Sequence, residues 1–281
     1  LPPIKRKERF INLAHKKERL DVRLTEEGFF PSREKARAAI MAGLVFVGGQ
    51  RAEKPGLLVQ TSLALEVKGN PIPYVSRGGL KLEKALRVFG IDLKGRIVLD
   101  IGASTGGFTD CALKHGARQV YAVDVGYGQL AWELRNDARV IILERTNIRY
   151  LTPDILGKKP DFATIDVSFI SLGKVLPGLG GLLTEEAAGV ALIKPQFEAG
   201  REKVGKKGVV RDPQVHVEII ESLVNLFLVQ GWSVAGLDFS PVTGPRGNIE
   251  YLLFFIKDDC PKACVCPLPV VQQAHAELRQ T

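Results

Sequence analysis

Long apolar runs are absent from this 281-residue chain. The densest, Tyr251 to Ile256, suits one buried strand and falls far short of a membrane span. The basic opening, "LPPIKRKERFINLAHKKERL", lacks the apolar stretch of a secretory signal. Cysteine is scarce. There are four, three of them (Cys260, Cys264, Cys266) crowded near the C-terminus, which makes no disulfide framework. That cluster, even with His275 as a fourth ligand, has the spacing of no standard zinc site. The expectation is a cytoplasmic protein with no membrane contact, no metal and a frayed tail over residues 260–281. Neither a G-x-G-x-x-G segment nor a P-loop lysine is present, which argues against a plain NAD or P-loop site.

What is present is a lopsided charge. Residues 1–95 hold 19 Lys and Arg against 10 Asp and Glu, whereas residues 96–281 hold 20 against 21. The chain's net charge of +8 therefore belongs to the first third. A basic module joined to a near-neutral domain points to a nucleic-acid partner ahead of a merely solvated surface.

Residues 1–17 read as a basic extension. "ERLDVRLTEE" (18–27) predicts a short helix stopped by Gly28. Ser32 predicts the N-cap of a second helix, "REKARAAIMA", closed by Gly43. Gly48-Gly49 suits the tight turn of a hairpin, and "TSLALEVKG" alternates as a strand. These form a small α+β unit over 18–68, with 69–76 as linker. On Leu20-Asp21, Ser32-Arg33, Ala36, Ile40, Gly43, Val45, Val47 and Lys54-Pro55, the unit resembles an S4 RNA-binding domain. The resemblance implies that the helix begun by Ser32-Arg33 offers Arg33, Lys35 and Arg37 to RNA. Arg23 and, beyond the linker, Arg77 are expected to join them.

From Arg96 the pattern becomes α/β. "RIVLDIG", "QVYAVDVG", "RVIILERTN", "FATIDVSF" and "GVALIKP" are short apolar runs separated by helical segments, as in a doubly wound parallel sheet. The long amphipathic helix "VHVEIIESLVNLFLVQG" is then followed by two strands that predict an antiparallel hairpin at the sheet edge. That ending resembles the Rossmann-like class I S-adenosylmethionine-dependent methyltransferases. The domain is expected over 77–259. "LDIGASTGGFTD" is a strand feeding a glycine-rich turn that opens a helix. Its residues Gly102, Ala103, Ser104, Gly106, Gly107 and Phe108 are the expected cradle of the methionine part of the cofactor. Asp124, which ends the next strand, suits ribose hydroxyls. The step Thr146-Asn147 is placed nearer the adenine, Val125 is a further expected cofactor contact, and Asp166 lies at the reacting end.

Four charged residues converge on the carboxyl edge of this sheet by topology: Lys81 before the first strand, Asp166 after the fourth, Lys194 after the fifth and Glu250 at the start of the last. The set resembles the Lys-Asp-Lys-Glu tetrad of FtsJ-like ribose 2′-O-methyltransferases. With "VSRGGLKL", "DIGASTGGFTD", "VDVGYGQL", "IDVSFISL", "LIKPQFE" and "GPRGNIEYL" in one order, the chain resembles the TlyA (hemolysin A-type) rRNA methyltransferase family. The resemblance implies S-adenosylmethionine as cofactor and rRNA or ribosomal subunits as partner, with no obligate protein partner evident. Its motif favours Lys81 over the neighbouring Lys84.

A ribose hydroxyl is a weak acid, so its methylation calls for a base or a polarising cation. A lysine serves as base only where burial or a second cation disfavours the ammonium. Lys194 is the expected base, held by Asp166, with Lys81 and Glu250 orienting it and the hydroxyl. The loop 198–211, with Arg201, Lys203, Lys206, Lys207 and Arg211, reads as a mobile lid on RNA, and Arg246 as a further RNA contact. Three rivals remain: an RNA-binding protein with a dead Rossmann domain, a membrane-active haemolysin, and a base methyltransferase. The last usually carries an Asn/Asp-Pro-Pro step where this chain reads "IDVSFI".

Overall fold

A computed structural model describes residues 17–30, 32–41, 43–68, 72–205 and 207–278. It divides into two compact units, Leu1–Pro73 and Tyr74–Thr281.

In the first unit, strand β1 (Lys17–Arg19) leads directly into helix α1 (Leu20–Glu26). The expected helix therefore starts later than residue 18, because Lys17–Arg19 pairs antiparallel with β4 (Leu58–Gln60). Helix α2 (Arg33–Met41) begins where Ser32 Oγ accepts the Lys35 N–H at 3.3 Å. Strands β2 (Val45–Val47) and β3 (Gln50–Arg51) form the hairpin, turned by Gly48 and Gly49 with φ of 56° and 82°. Strand β5 (Leu65–Val67) pairs on the other side of β2. Leu20, Leu24, Phe30, Ile40 and Val59 close a small core.

The second unit opens with α3 (Gly78–Phe89), then β6 (Ile97–Ile101), α4 (Gly107–Lys114), β7 (Gln119–Val123), α5 (Trp132–Arg135), β8 (Val140–Leu143) and β9 (Phe162–Ile165). There follow α6 (Leu179–Leu182), β10 (Ala188–Ile193), α7 (Pro195–Glu198), α8 (Pro213–Val229), β11 (Trp232–Phe239), β12 (Tyr251–Lys257) and α9 (Pro267–Leu278). The sheet order is β11-β12-β10-β9-β6-β7-β8. Strands β6 to β10 run parallel, and β12 lies antiparallel between β10 and β11. Chain order reverses between β6 and β9, the switch point at which such sheets bind ligands. This is the Rossmann-like methyltransferase architecture, with an S4-like α+β unit before it.

Two expectations fail here. Regular helices do not fill every crossover: only 3-10 turns lie between β8 and β9, where residues 148–155 carry no sustained apolar stripe. Nor do the described residues of the tail fray. Val271 and Ala274 of α9 are fully buried within the core that contains α8 and β11, and Val234 bridges Ala263. The apolar residues of "PLPVVQQAHAEL" recur at helical spacing, which supplies the missing anchor.

Candidate active site

Gly102, Asp124, Asp166 and Lys194 stand just past the ends of β6, β7, β9 and β10, because parallel strands deliver their carboxyl ends to one edge. Gly102 follows β6 with φ of 87°, and a Cβ there would lie 2.6 Å from the Asp166 carbonyl oxygen. Only glycine lets these two strand ends approach. Gly107, the first residue of α4, meets α3 in the same way: a Cβ would come within 2.9 Å of Gly79 N and 3.0 Å of Gly78 Cα. That close approach brings α3, and with it Lys81, to the glycine loop.

Two clefts meet at this edge. The larger, about 500 Å³, is lined by Gly102, Ser104, Asp124, Val125, Asn147 and Asp166 among others. Asp124 Oδ2 accepts from Ser104 N at 2.8 Å and Oδ1 from Gly126 N at 2.7 Å. The carboxylate is thereby fixed while each oxygen keeps a lone pair for a hydroxyl donor. Asn147 spends its Oδ1 on the Arg149 backbone N–H, at 3.1 Å, so its free donor is the amide nitrogen. The size, the glycine approach and the fixed acid at the second strand end fit a nucleoside-bearing ligand such as S-adenosylmethionine.

The smaller cleft, about 270 Å³, is lined by Arg77, Lys81, Ala103, Phe108 and Asp166, and also by Ser168 and Val242–Gly244. The four charged candidates form two ion pairs beside it. Lys81 Nζ donates to Glu250 Oε2 at 2.6 Å. Lys194 Nζ lies 2.6 Å from Asp166 Oδ1 and donates to Ser168 Oγ at 2.8 Å. Lys194 and Glu250 are buried, with 8% and 1% of their surface exposed, so these charges interact with little solvent screening. Glu250 Oε1 is buried with no hydrogen-bond partner among the described residues. Each lysine is thus paired with a carboxylate rather than with the other lysine. Lys84 points elsewhere: it donates to Asp238 Oδ1 at 2.9 Å and to the Phe239 carbonyl at 2.6 Å.

Beneath the site Asp100 is fully buried and accepts from Thr109 at 2.6 Å and Thr164 at 2.9 Å. Burial pushes its carboxyl up to about 6, the nearby Asp166 charge adds to this, and the two hydroxyls oppose it.

The other candidate residues occupy varied settings. Gly106 lines neither of these clefts; with φ of 94° it opens α4 and faces Leu130 and Leu134. Arg23 is buried, donating to Glu27 at 2.5 Å and to the Gln60 carbonyl at 2.9 Å, so it braces the first unit instead of facing solvent. Arg33 is half-committed: it pairs with buried Asp21 at 2.9 Å yet stays 55% exposed. The Arg19 and Arg33 guanidiniums hold the Asp21 carboxyl well below the usual carboxylate range, against the opposing effect of burial. Lys35 and Arg37 are exposed on α2, as is Arg77 at the cleft. Lys206 lies outside the described residues. Lys207 and Arg246 are exposed, and Arg246 donates to the Lys207 carbonyl at 3.1 Å. The loop 198–211 is no free lid at its C-terminal end, because Val209 and Val210 are buried and Asn248 bonds both Gly208 and Val210.

Sequence reasoning missed Ser168 and the Val242–Gly244 wall. Ser168 sits two places after Asp166 in "IDVSF", a polar signal at a strand end; the wall has none, since only folding brings it over Lys81.

Known proteins share this two-part architecture. Residues 74–257 match the model of the FtsJ-like methyltransferase family, and residues 18–64 match the S4 domain. YqxC of Bacillus subtilis is 58% identical over 242 residues, covering 86% of each chain. The 16S/23S rRNA (cytidine-2′-O)-methyltransferase TlyA of Mycobacterium tuberculosis is 47% identical, covering 84% of this chain and 88% of its own. A solved structure from Streptococcus thermophilus that carries the hemolysin name aligns with a TM-score of 0.77 at 49% identity, covering 94% of this chain and 98% of its own. Among the described residues no helix is long and apolar enough to cross a membrane. The chain belongs to the FtsJ-like methyltransferase family, and within it to the S4-bearing TlyA, or hemolysin A-type, methyltransferases.

Proposed function

We propose that this protein methylates ribose 2′-hydroxyls of rRNA, acting on ribosomal subunits or their precursors. The observation that carries this reading is the double pairing of Lys81 with Glu250 and Lys194 with Asp166 around one cleft beside the glycine loop. The relative from Mycobacterium tuberculosis is named for cytidine 2′-O-methylation of 16S and 23S rRNA, which supports the same substrate here.

S-adenosylmethionine, when bound, supplies an electrophilic methyl group. The chain's own residues do the rest. Gly102, Asp124 and Asn147 line its cleft, and Asp166 and Ser168 lie where the two clefts meet. Asp166 and Ser168 hold Lys194 Nζ in one place. Lys194 Nζ is the group assigned to receive the proton of the attacking hydroxyl. Lys81, held by Glu250, fixes the hydroxyl from the other side. Holding hydroxyl and methyl in line accounts for much of the rate. The exposed cations Lys35, Arg37, Arg77, Lys207 and Arg246, with Arg33, contribute phosphate contacts.

The test is incubation with methyl-labelled S-adenosylmethionine and separate small and large subunits, followed by mass mapping of the modified nucleotide. Label on a 2′-oxygen is expected. Label on a base, or none on either subunit, sinks the reading.

A further inference from the structure

Glu250 is flanked by two residues whose side chains lead to the same piece of chain. Two places before it, buried Asn248 accepts the Val210 N–H at 3.3 Å and donates to the Gly208 carbonyl at 3.0 Å. One place after it, buried Tyr251 has its hydroxyl 2.6 Å from His216 Nδ1. His216 Nε2 lies 3.0 Å from the Val210 carbonyl oxygen. A carbonyl only accepts, so Nε2 carries the hydrogen. In the neutral ring Nδ1 is then the acceptor, and the Tyr251 hydroxyl donates to it.

Glu250 directly precedes Tyr251, the first residue of β12, and successive side chains of extended chain leave on opposite faces. Tying down the Tyr251 hydroxyl therefore fixes the backbone from which Glu250 projects towards Lys81. Tyr251 also pairs across the sheet with Ile193, the residue before Lys194. One hydroxyl thus anchors the backbone beside both lysine–carboxylate pairs. The segment it reaches through His216 is the foot of the loop that carries Lys203, Lys207 and Arg211. From α9, His275 packs edge-on against His216 with ring centres 4.8 Å apart and its Nε2 3.1 Å from Nδ1. The C-terminal helix completes the anchor.

We infer that Tyr251 and His216 are positioning residues: they hold Glu250 in register with Lys81 and tie that pair to the base of the cationic loop. Neither lines the cleft, so both act through Glu250 on Lys81, which does. The inference rests on the role given to Glu250 above.

The experiment compares full-length wild type, Tyr251→Phe, Glu250→Gln and the double variant in subunit methylation, normalised to active sites by calorimetric S-adenosylmethionine titration. Tyr251→Phe should lower kcat by about 10- to 100-fold while KM for subunits stays within about twofold. The double variant should be no slower than Glu250→Gln, because a residue acting through Glu250 has nothing left to position. Wild-type kcat in Tyr251→Phe, alongside a slow Glu250→Gln, overturns this inference and leaves the tetrad reading intact. So does a double-variant loss equal to the product of the single losses, or a loss confined to KM. Wild-type turnover in Glu250→Gln overturns the tetrad reading itself, and this inference with it.

Discussion

Lys194 Nζ lies 2.6 Å from Asp166 Oδ1, and the two residues stand one step past the ends of neighbouring parallel strands. The pair is therefore set by strand register, and cutting it should damage chemistry rather than folding. Lys194→Ala is expected to lower kcat by about 10²- to 10⁴-fold, with S-adenosylmethionine affinity nearly unchanged by calorimetry. Undiminished methyl transfer would remove Lys194 from the proposed role.

The approach of Gly102 to Asp166 yields a second expectation. In Gly102→Ala the new methyl meets the Asp166 carbonyl, and the backbone must hold φ of 87° with a side chain. A loss of about 1–3 kcal/mol in stability is expected from such strain, together with weaker cofactor binding. Thermal melts and calorimetry read both. A variant with wild-type melting temperature and affinity would show that the strand ends separate freely.

Asp100 gives a pH dependence. Its folded value of about 6 lies above the ordinary 3.8, so the folded state holds the proton more tightly than the unfolded chain. The stability due to this group is full below about pH 4 and is lost as pH rises through about 6. Asp100→Asn removes the titration. Relative to wild type, the variant should gain on the order of 2–3 kcal/mol between pH 4 and pH 7. Urea denaturation at the two pH values measures the difference, and a constant gap would refute the shift.

The first unit separates RNA contact from architecture. Lys35→Ala with Arg37→Ala removes two exposed cations, so rRNA affinity should fall and the slope of log K against log salt should shrink by roughly 1.5–2. Arg23→Ala should instead lower the melting temperature, because it leaves the Gln60 carbonyl and Glu27 without the guanidinium. A salt slope untouched by the double variant would move the RNA surface elsewhere.

The legible parts of this chain were local ones. Turn glycines at 48, 49 and 102, the cap at Ser32 and the apolar strand runs act within a few residues, so their meaning is present in the primary structure. The succession of strands along the chain followed, and with it the edge at which Asp124, Asp166, Lys194 and Glu250 stand. Periodicity was less decisive for Arg23 on α1: a charged residue in a helical stretch reads as surface until its partners at 27 and 60 close over it. The C-terminal helix was missed for a similar reason, since its apolar face gains meaning only against α8 and β11.

By itself the sequence determined the two-part plan, the cofactor turn and the list of charged residues at the sheet edge. Tertiary structure alone decided which of them meet. Lys81 and Glu250 are 169 residues apart and touch because β12 inserts between β10 and β11, while Lys84, one helical turn away, is drawn to Asp238. Pairings at such separation depend on strand order and helix docking, which no local pattern encodes.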